Sequence, residues 1–245
     1  MDQTSRTSTD IIDCACVIHG TGYSWEYVDK LYSMLNRVHP NRIKLHVYTE
    51  ASRSVPKHMV KHELEEWPGI SGPKKSWWYK LQLFNRNLFN GNLLYFDLDT
   101  VIVREIDWAT KLDLKYLWGI RDFRYLQTPH KQNLNSSMMW FSVPEFGWLW
   151  DEFKQQNIDS IVRKFHGDQD YIQHQLGVNR YRLFPDWQFQ SWRWQCVDGG
   201  YNFPRRQHKT PGTGAKIEPN TSVLVFHGRP KPHEVNDKVV QELWQ

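Results

Sequence analysis

The first 48 residues restrict the fold more than any other part of the chain, because they read as strand, helix, strand. Cys14 to His19 is a short apolar run closed by Gly20, the pattern of a buried strand. Trp25, Val28, Leu31, Tyr32, Leu35 and Val38 then recur at helical spacing, and Pro40 follows as a stop. Ile43 to Tyr48 alternates as a second strand. This order predicts an α/β fold with a mostly parallel central sheet flanked by helices. Ligands of such sheets bind beyond the carboxyl ends of the strands.

The rest of the chain continues the pattern. Ser52 to Pro73 has little periodicity. Ser76 is placed to cap a helix with Trp77, Leu81, Phe84 and Leu88 on one face, broken by Asn90 and Gly91. Leu93 to Val103 is the most strand-like run, interrupted by Asp97 and Asp99. Strands are further expected at Tyr116–Ile120, Ser137–Val143 and Ser222–Phe226, and helices at Glu145–Gln155, Asp168–Gln175 and Val235–Trp244. The stretch Asp198 to Pro219, rich in Gly, Pro and basic residues, reads as a surface loop and candidate lid. No repeat or linker divides the 245 residues, so one domain over 1–245 is expected.

Composition narrows the partners. A net charge of +4, without a basic run, suits an anionic small ligand and argues against nucleic acid. The 13 Trp, 11 Tyr and 12 Phe suit carbohydrate, whose C–H faces pack on indole rings, although for any single Trp a place in the core is the commoner use. Cys14, Cys16 and Cys196 form no paired framework, and the first two read as small buried residues of a strand. The polar stretch Met1–Asp13 resembles no signal peptide, and no segment has the apolar length to cross a bilayer. A cytoplasmic protein is therefore expected. The end after His233 reads as one short amphipathic helix and not as a membrane-docking segment.

Three segments carry chemistry. In Tyr95-Phe96-Asp97-Leu98-Asp99-Thr100 an apolar strand runs into two carboxylates one residue apart, which leave a strand on the same side. Carboxylates that close repel unless a proton or cation lies between them, and oxygen ligands suit magnesium or manganese. In Val225-Phe226-His227-Gly228-Arg229-Pro230-Lys231-Pro232 a strand delivers an imidazole, which would tilt an oxygen site towards manganese, and Lys231 can neutralise a diphosphate. Gly167-Asp168-Gln169-Asp170 opens a helix, where acids serve equally as caps.

Taken in order, these segments resemble glycosyltransferase family 8, retaining GT-A enzymes that include glycogenin and bacterial lipopolysaccharide galactosyltransferases. The resemblance implies a Rossmann-like GT-A fold and transfer of a sugar, with retention, from a nucleotide diphosphate donor, UDP-linked by preference, to a glycan or other hydroxyl acceptor. It also implies manganese, or magnesium, held by Asp97, Asp99 and His227. Leu94–Thr100 is similar to the family's metal-binding stretch, and Tyr79-Lys80-Leu81 to its Tyr and basic residue near the nucleotide. Asn135-Ser136-Ser137 is similar to its Asn-Ser-Gly strand, with Asn135 facing the donor sugar. Asp168-Gln169-Asp170 matches its Asp-Gln-Asp, which places Asp168 on sugar hydroxyls and Gln169 near the anomeric carbon. Gly228 and Lys231 match its Gly-x-x-Lys-Pro, and Tyr23 stands where the family has a ring near the nucleobase. Trp187, Trp192 and Trp194 are the expected acceptor surface. Two positions depart from the family: His227 precedes Gly228 by one residue where three is usual, leaving Val225 at the usual place, and His233 replaces a Trp.

Two alternatives fit part of the pattern. Phe96-Asp97-Leu98-Asp99-Thr100-Val101 also suits a haloacid dehalogenase-like phosphatase with Asp97 as nucleophile, and Gly167-Asp168 its later acidic motif. The first motif normally opens its domain, whereas here a whole strand–helix–strand unit precedes it. A non-catalytic carbohydrate-binding module would use the aromatic rings but needs neither the acid pair nor the Lys.

Overall fold

The computed structural model describes residues 10–67, 70, 75–196 and 216–245. Strand β1 (Ile12–Ile18) leads through helix α1 (Glu26–Val38) to β2 (Ile43–Thr49) and a short edge strand β3 (Val60–Glu63). A 3-10 segment, Ser76–Phe84, precedes β4 (Asn92–Phe96) and β5 (Thr100–Ile102). Strands β6 (Leu117–Arg121) and β7 (Leu134–Ser142) follow, then helices α2 (Val143–Phe146), α3 (Trp148–Gln155), α4 (Ile158–Lys164) and α5 (Asp168–Leu176). Short strands β8 (Tyr181–Leu183), β9 (Phe189–Ser191) and β10 (Val223–Val225) and helix α6 (Lys238–Leu243) complete the described chain.

Seven strands form one sheet in the order β3-β2-β1-β4-β7-β6-β8, and β5, β10 and β9 form a second. In the large sheet only β7 runs against the others. Both faces are covered. Along β1, Cys14, Cys16 and Ile18 join one hydrophobic cluster, while Ala15 joins the other. Along β4, Leu94 and Phe96 face the first, Leu93 and Tyr95 the second. A strand with apolar neighbours on both sides needs no polar alternation, which is why these runs are nearly continuous in hydrophobicity. Helix α1 closes the first face through Tyr27, Val28, Leu31, Met34 and Leu35, all buried. Glu26 and Asp29 sit in its first turn and Arg37 in its last, in keeping with the helix dipole.

The structure changes several expectations. The segment from Ser76 is a 3-10 helix with no side-chain cap, and every residue from Trp78 to Phe84 is buried. Wrapped on all sides, it has no single apolar face, so its periodicity carried no orientation. The run Leu93–Val103 is two strands in two sheets, parted by a turn at Asp97–Asp99. There Thr100 returns both its backbone N–H and its hydroxyl to the Asp97 carbonyl, at 3.2 and 2.8 Å. The expected helix 145–155 is interrupted at Gly147, and β3, α4, β8 and β9 carried no clear periodic signal because each is seven residues or shorter. All three cysteines are buried, and burial pushes the Cys196 thiol up to about 12. The candidate lid from 198 to 215 lies outside the described residues. Among the described residues no helix is long and apolar enough to cross a membrane.

Behind the sheet, Asp13, His46 and His62 form a chain across β1, β2 and β3. His46 Nε2 lies 2.8 Å from Asp13 Oδ1, and His46 Nδ1 lies 2.8 Å from His62 Nε2. Burial first, then the His46 ring, lowers the His62 pKa to about 4. In the unfolded chain an ordinary histidine binds its proton near pH 6.5. The unfolded state therefore takes up more protons between pH 6.5 and 4, and stability falls as the pH drops through that window. We expect His62 to account for about 1–2 kcal/mol of stability lost between pH 7 and pH 5. Urea midpoints at both pH values check this, and His62→Gln should flatten the difference; an equal drop in both proteins refutes it.

Candidate active site

The carboxyl ends of β1, β4 and β6 and the opposite-running start of β7 meet at one cavity of about 640 Å³. Its floor is built from charge. Lys80, brought in by the 3-10 segment and 5% exposed, places its ammonium 2.9 Å from Asp97 Oδ1 at the end of β4 and 3.1 Å from Asp168 Oδ2 at the start of α5. The Ser136 hydroxyl on β7 accepts from Lys80 at 3.0 Å and donates to Asp168 at 2.9 Å. The Tyr95 hydroxyl donates to Asp97 Oδ1 at 2.6 Å.

Of the two acids that share Lys80, Asp97 is held ionised. Burial opposes this, but the Lys80 charge and hydrogen bonds from Tyr95, Lys80 and Ser137 bring its pKa below the ordinary carboxylate value. Asp168 goes the other way: burial, aided by the Asp97 charge, raises it against the pull of Lys80. Burial also resists the Lys80 charge, but Asp168 and Asp97 outweigh it and hold the ammonium protonated.

Asp99 belongs to a second set. The Tyr23 hydroxyl donates to its Oδ2 at 2.9 Å, and Lys231 pairs with the same oxygen. Burial, together with the Asp97 charge, raises the Asp99 pKa although Lys231 opposes it. His227 also lines the cavity, with Nε2 2.7 Å from Ser191 Oγ, one face on Phe123 and one edge on Trp194. Burial and the charges of Arg193, Lys231 and Arg124 lower its pKa to about 3, so the ring is neutral.

Asp97, Asp99, His227, Tyr23, Lys80, Asn135, Asp168, Gln169, Gly228, Lys231 and Trp194 thus all border one cavity, from segments more than 200 residues apart. The Tyr23 hydroxyl meets Asp99, and the Lys80 ammonium meets Asp97 and Asp168. Asn135 accepts the Ser137 N–H at 2.9 Å, and Gln169 accepts that of Ser136 at 3.2 Å. Gly228 has φ +74°, a conformation that favours glycine.

Two expectations need correction. Trp192 is fully buried, stacked on Phe226 with ring centroids 5.2 Å apart, so it is a core ring and no acceptor surface. Trp187 is 59% exposed and stands outside the cavity. Among the described residues no three His, Cys, Asp or Glu side chains converge as a metal site, so Asp97, Asp99 and His227 share a cavity but not a closed ligand set. His227 follows the end of β10 and turns its Nε2 to Ser191. The two carboxylates by themselves fit a divalent cation: hard oxygens, close enough for one charge to raise the other's pKa. Residues that the sequence reading passed over include Tyr95, Ser136, Ser191 and Asp122, which accepts from Gln169 at 3.4 Å. Tyr95, two residues before Asp97 and on its side of the strand, was the one with a readable signal.

No protein-family model and no curated protein sequence matches this chain. Solved structures do. The chain is similar to the galactosyltransferase LgtC in complex with donor and acceptor sugar analogues, with a TM-score of 0.64 and 10% identity over 95% of this chain and 94% of that one. It is also similar to the glycosyltransferase GlyE of Streptococcus pneumoniae TIGR4, with a TM-score of 0.62 and 14% identity over 96% of this chain and 59% of that one. A third match, to the bifunctional glycosyltransferase WbbM, has a TM-score of 0.60 and 11% identity over 97% and 52%. The fold is therefore that of the GT-A glycosyltransferases.

Removing the Lys80 ammonium leaves the buried Asp168 carboxylate and the partly buried Asp97 carboxylate without the charge they share. Lys80→Met is expected to cost about 3–5 kcal/mol, read from urea unfolding. Adding Asp168→Asn should restore a good part of it; a single variant as stable as the parent refutes the network.

Proposed function

We propose that this chain is a metal-dependent glycosyltransferase, moving a hexose from a nucleoside diphosphate donor, UDP-linked by preference, to a hydroxyl acceptor with retention. The observation that carries this reading is the pair Asp97 and Asp99, set between Lys80 and Lys231 in a cavity at the carboxyl edge of a GT-A sheet.

Asp97 and Asp99 would hold the divalent cation, manganese or magnesium, with the neutral His227 as the proposed third ligand. When bound, that ion supplies Lewis-acid charge against the diphosphate. The protein's own residues account for the rest. Lys80 and Tyr95 fix Asp97 in orientation and ionisation, so this acid is preorganised. Lys231 exchanges Asp99 for the diphosphate and neutralises charge on the leaving group as a point cation. Asp168 and Asn135 hold sugar hydroxyls, and Gln169 lies beside the anomeric carbon. Gln169 is a neutral amide and Asp168 is occupied by Lys80 and Ser136, which leaves attack by the acceptor on the leaving-group face as the route to retention. Trp194 forms part of the acceptor wall.

The phosphatase alternative loses ground because Asp97 Oδ1 is already engaged by Tyr95 and Lys80, a poor state for a nucleophile. The binding-module alternative loses part of its aromatic surface, since Trp67, Trp78, Trp140, Trp150, Trp192 and Trp244 are core residues.

Thermal unfolding against nucleoside diphosphates and their sugars, with and without manganese, tests the proposal. A rise in melting temperature that needs both nucleotide and metal is expected, because a ligand stabilises the state it binds. Asp99→Asn should lose the metal-dependent part of that rise and of turnover while its unliganded melting temperature stays near the parent's. A fully active Asp99→Asn protein removes the metal assignment.

A further inference from the structure

Among the described residues the exposed tryptophans are Trp77 and Trp187, and of the two only Trp77, 39% exposed, borders the cavity. It stands at the start of the 3-10 segment Ser76–Phe84, where every residue from Trp78 to Phe84 is buried, so the core fixes the backbone that carries it. Its indole lies against Gly167, the residue before α5: a Cβ there would stand 3.2 Å from Trp77 Nε1 and 3.5 Å from its Cδ1. Glycine at that position lets the indole approach the backbone closely. The residues around Gly167 are polar and open. His166 precedes it and Asp170 follows one helical turn on; both are exposed, and both border the cavity with Ser76.

An exposed ring in a cavity, flanked by hydrogen-bonding groups, suits a ligand with an apolar face and a polar edge. A pyranose has that form, since its C–H face packs on indole while its hydroxyls project from the rim. A nucleobase also stacks, but the transferase reading puts the nucleotide with Tyr23 and Lys231, which both meet Asp99, whereas Trp77 packs on the residue before Asp168. We propose that Trp77 is a stacking platform for a pyranose ring, with Asp170 and His166 as partners for its hydroxyls. Resting on the transferase reading, two sources present such a ring: the hexose of the donor and a sugar of the acceptor.

Binding to the full chain separates them. Methyl β-glucoside, methyl β-galactoside, lactose and maltose are titrated by saturation-transfer NMR with uridine diphosphate and magnesium present. Uridine diphosphate, UDP-glucose and UDP-galactose are titrated by calorimetry. Trp77→Ala, with an unchanged melting temperature, should weaken at least one sugar probe about ten-fold, and Trp77→Phe, which keeps a ring, should retain part of the affinity. Loss towards the glycosides with parent-like binding of both UDP-sugars assigns the platform to the acceptor. Loss towards a UDP-sugar with parent-like binding of uridine diphosphate assigns it to the donor hexose. An equal loss towards uridine diphosphate and its sugars puts the base on the ring and overturns the pyranose assignment. Parent-like binding of every probe by Trp77→Ala overturns the platform, as does a parent protein that binds none of them. The transferase reading fails separately: a parent that binds a glycoside through Trp77 but no uridine nucleotide keeps the platform and loses the UDP-linked donor.

Discussion

A single buried ammonium, Lys80, lies between carboxylates from two distant parts of the chain, and the floor of the cavity depends on it. It ties the 3-10 segment to the end of β4 and the start of α5, with Ser136 of β7 closing the ring. Such a network adds little net stability, because desolvation consumes most of the Coulombic gain. Its effect here is on geometry and charge. It holds Asp97 ionised in a fixed orientation while the pKa of Asp168 is raised. The result is two acids with different protonation tendencies in one cavity, the kind of separation that functional sites exploit.

The turn between Asp97 and Asp99 is also the joint between the two sheets. The Asp97 N–H donates to the Ser137 carbonyl of the large sheet at 2.8 Å, while the Asp99 carbonyl accepts from Phe226, just past β10 of the small sheet, at 3.1 Å. The acid pair is therefore anchored on both sides, which is what a preorganised charge needs. The same joint brings Lys231 and His227 to the cavity, since both follow β10. The C-terminal segment is held in turn against α1: His233 bonds the Tyr27 hydroxyl, Tyr27 packs edge-on with Trp244, and the His233 ring lies tilted 6.5 Å from that of Trp244. His233 thus joins the C-terminal segment to α1 through ring contact with Tyr27.

Much of this was legible in the residues. The strand–helix–strand opening is a strong periodic pattern, and β1, α1 and β2 fall where the pattern put them within a few residues. Most of the motif residues come to one cavity because each stands at the end of a predicted strand or the start of a predicted helix, where α/β sheets gather ligands. What went astray did so for physical reasons. Trp192 and Trp194 are two residues apart in a π-helical turn, and only packing decides that one enters the core and the other the cavity. Asp97 and Asp99 reach the same cavity across a turn and not along one strand, so the argument from strand alternation gave the right neighbours by the wrong geometry.

By itself the sequence determined the layered α/β architecture, the position of the acid pair at a strand end and the presence of basic groups to face it, because hydrophobic period and local residue type encode these directly. Tertiary structure alone decided who pairs with whom: that Lys80 joins Asp97 to Asp168, that Lys231 rests on Asp99, and that His227 turns to Ser191. Those pairings depend on burial and on contacts between residues tens to more than a hundred positions apart, and local pattern holds no record of either.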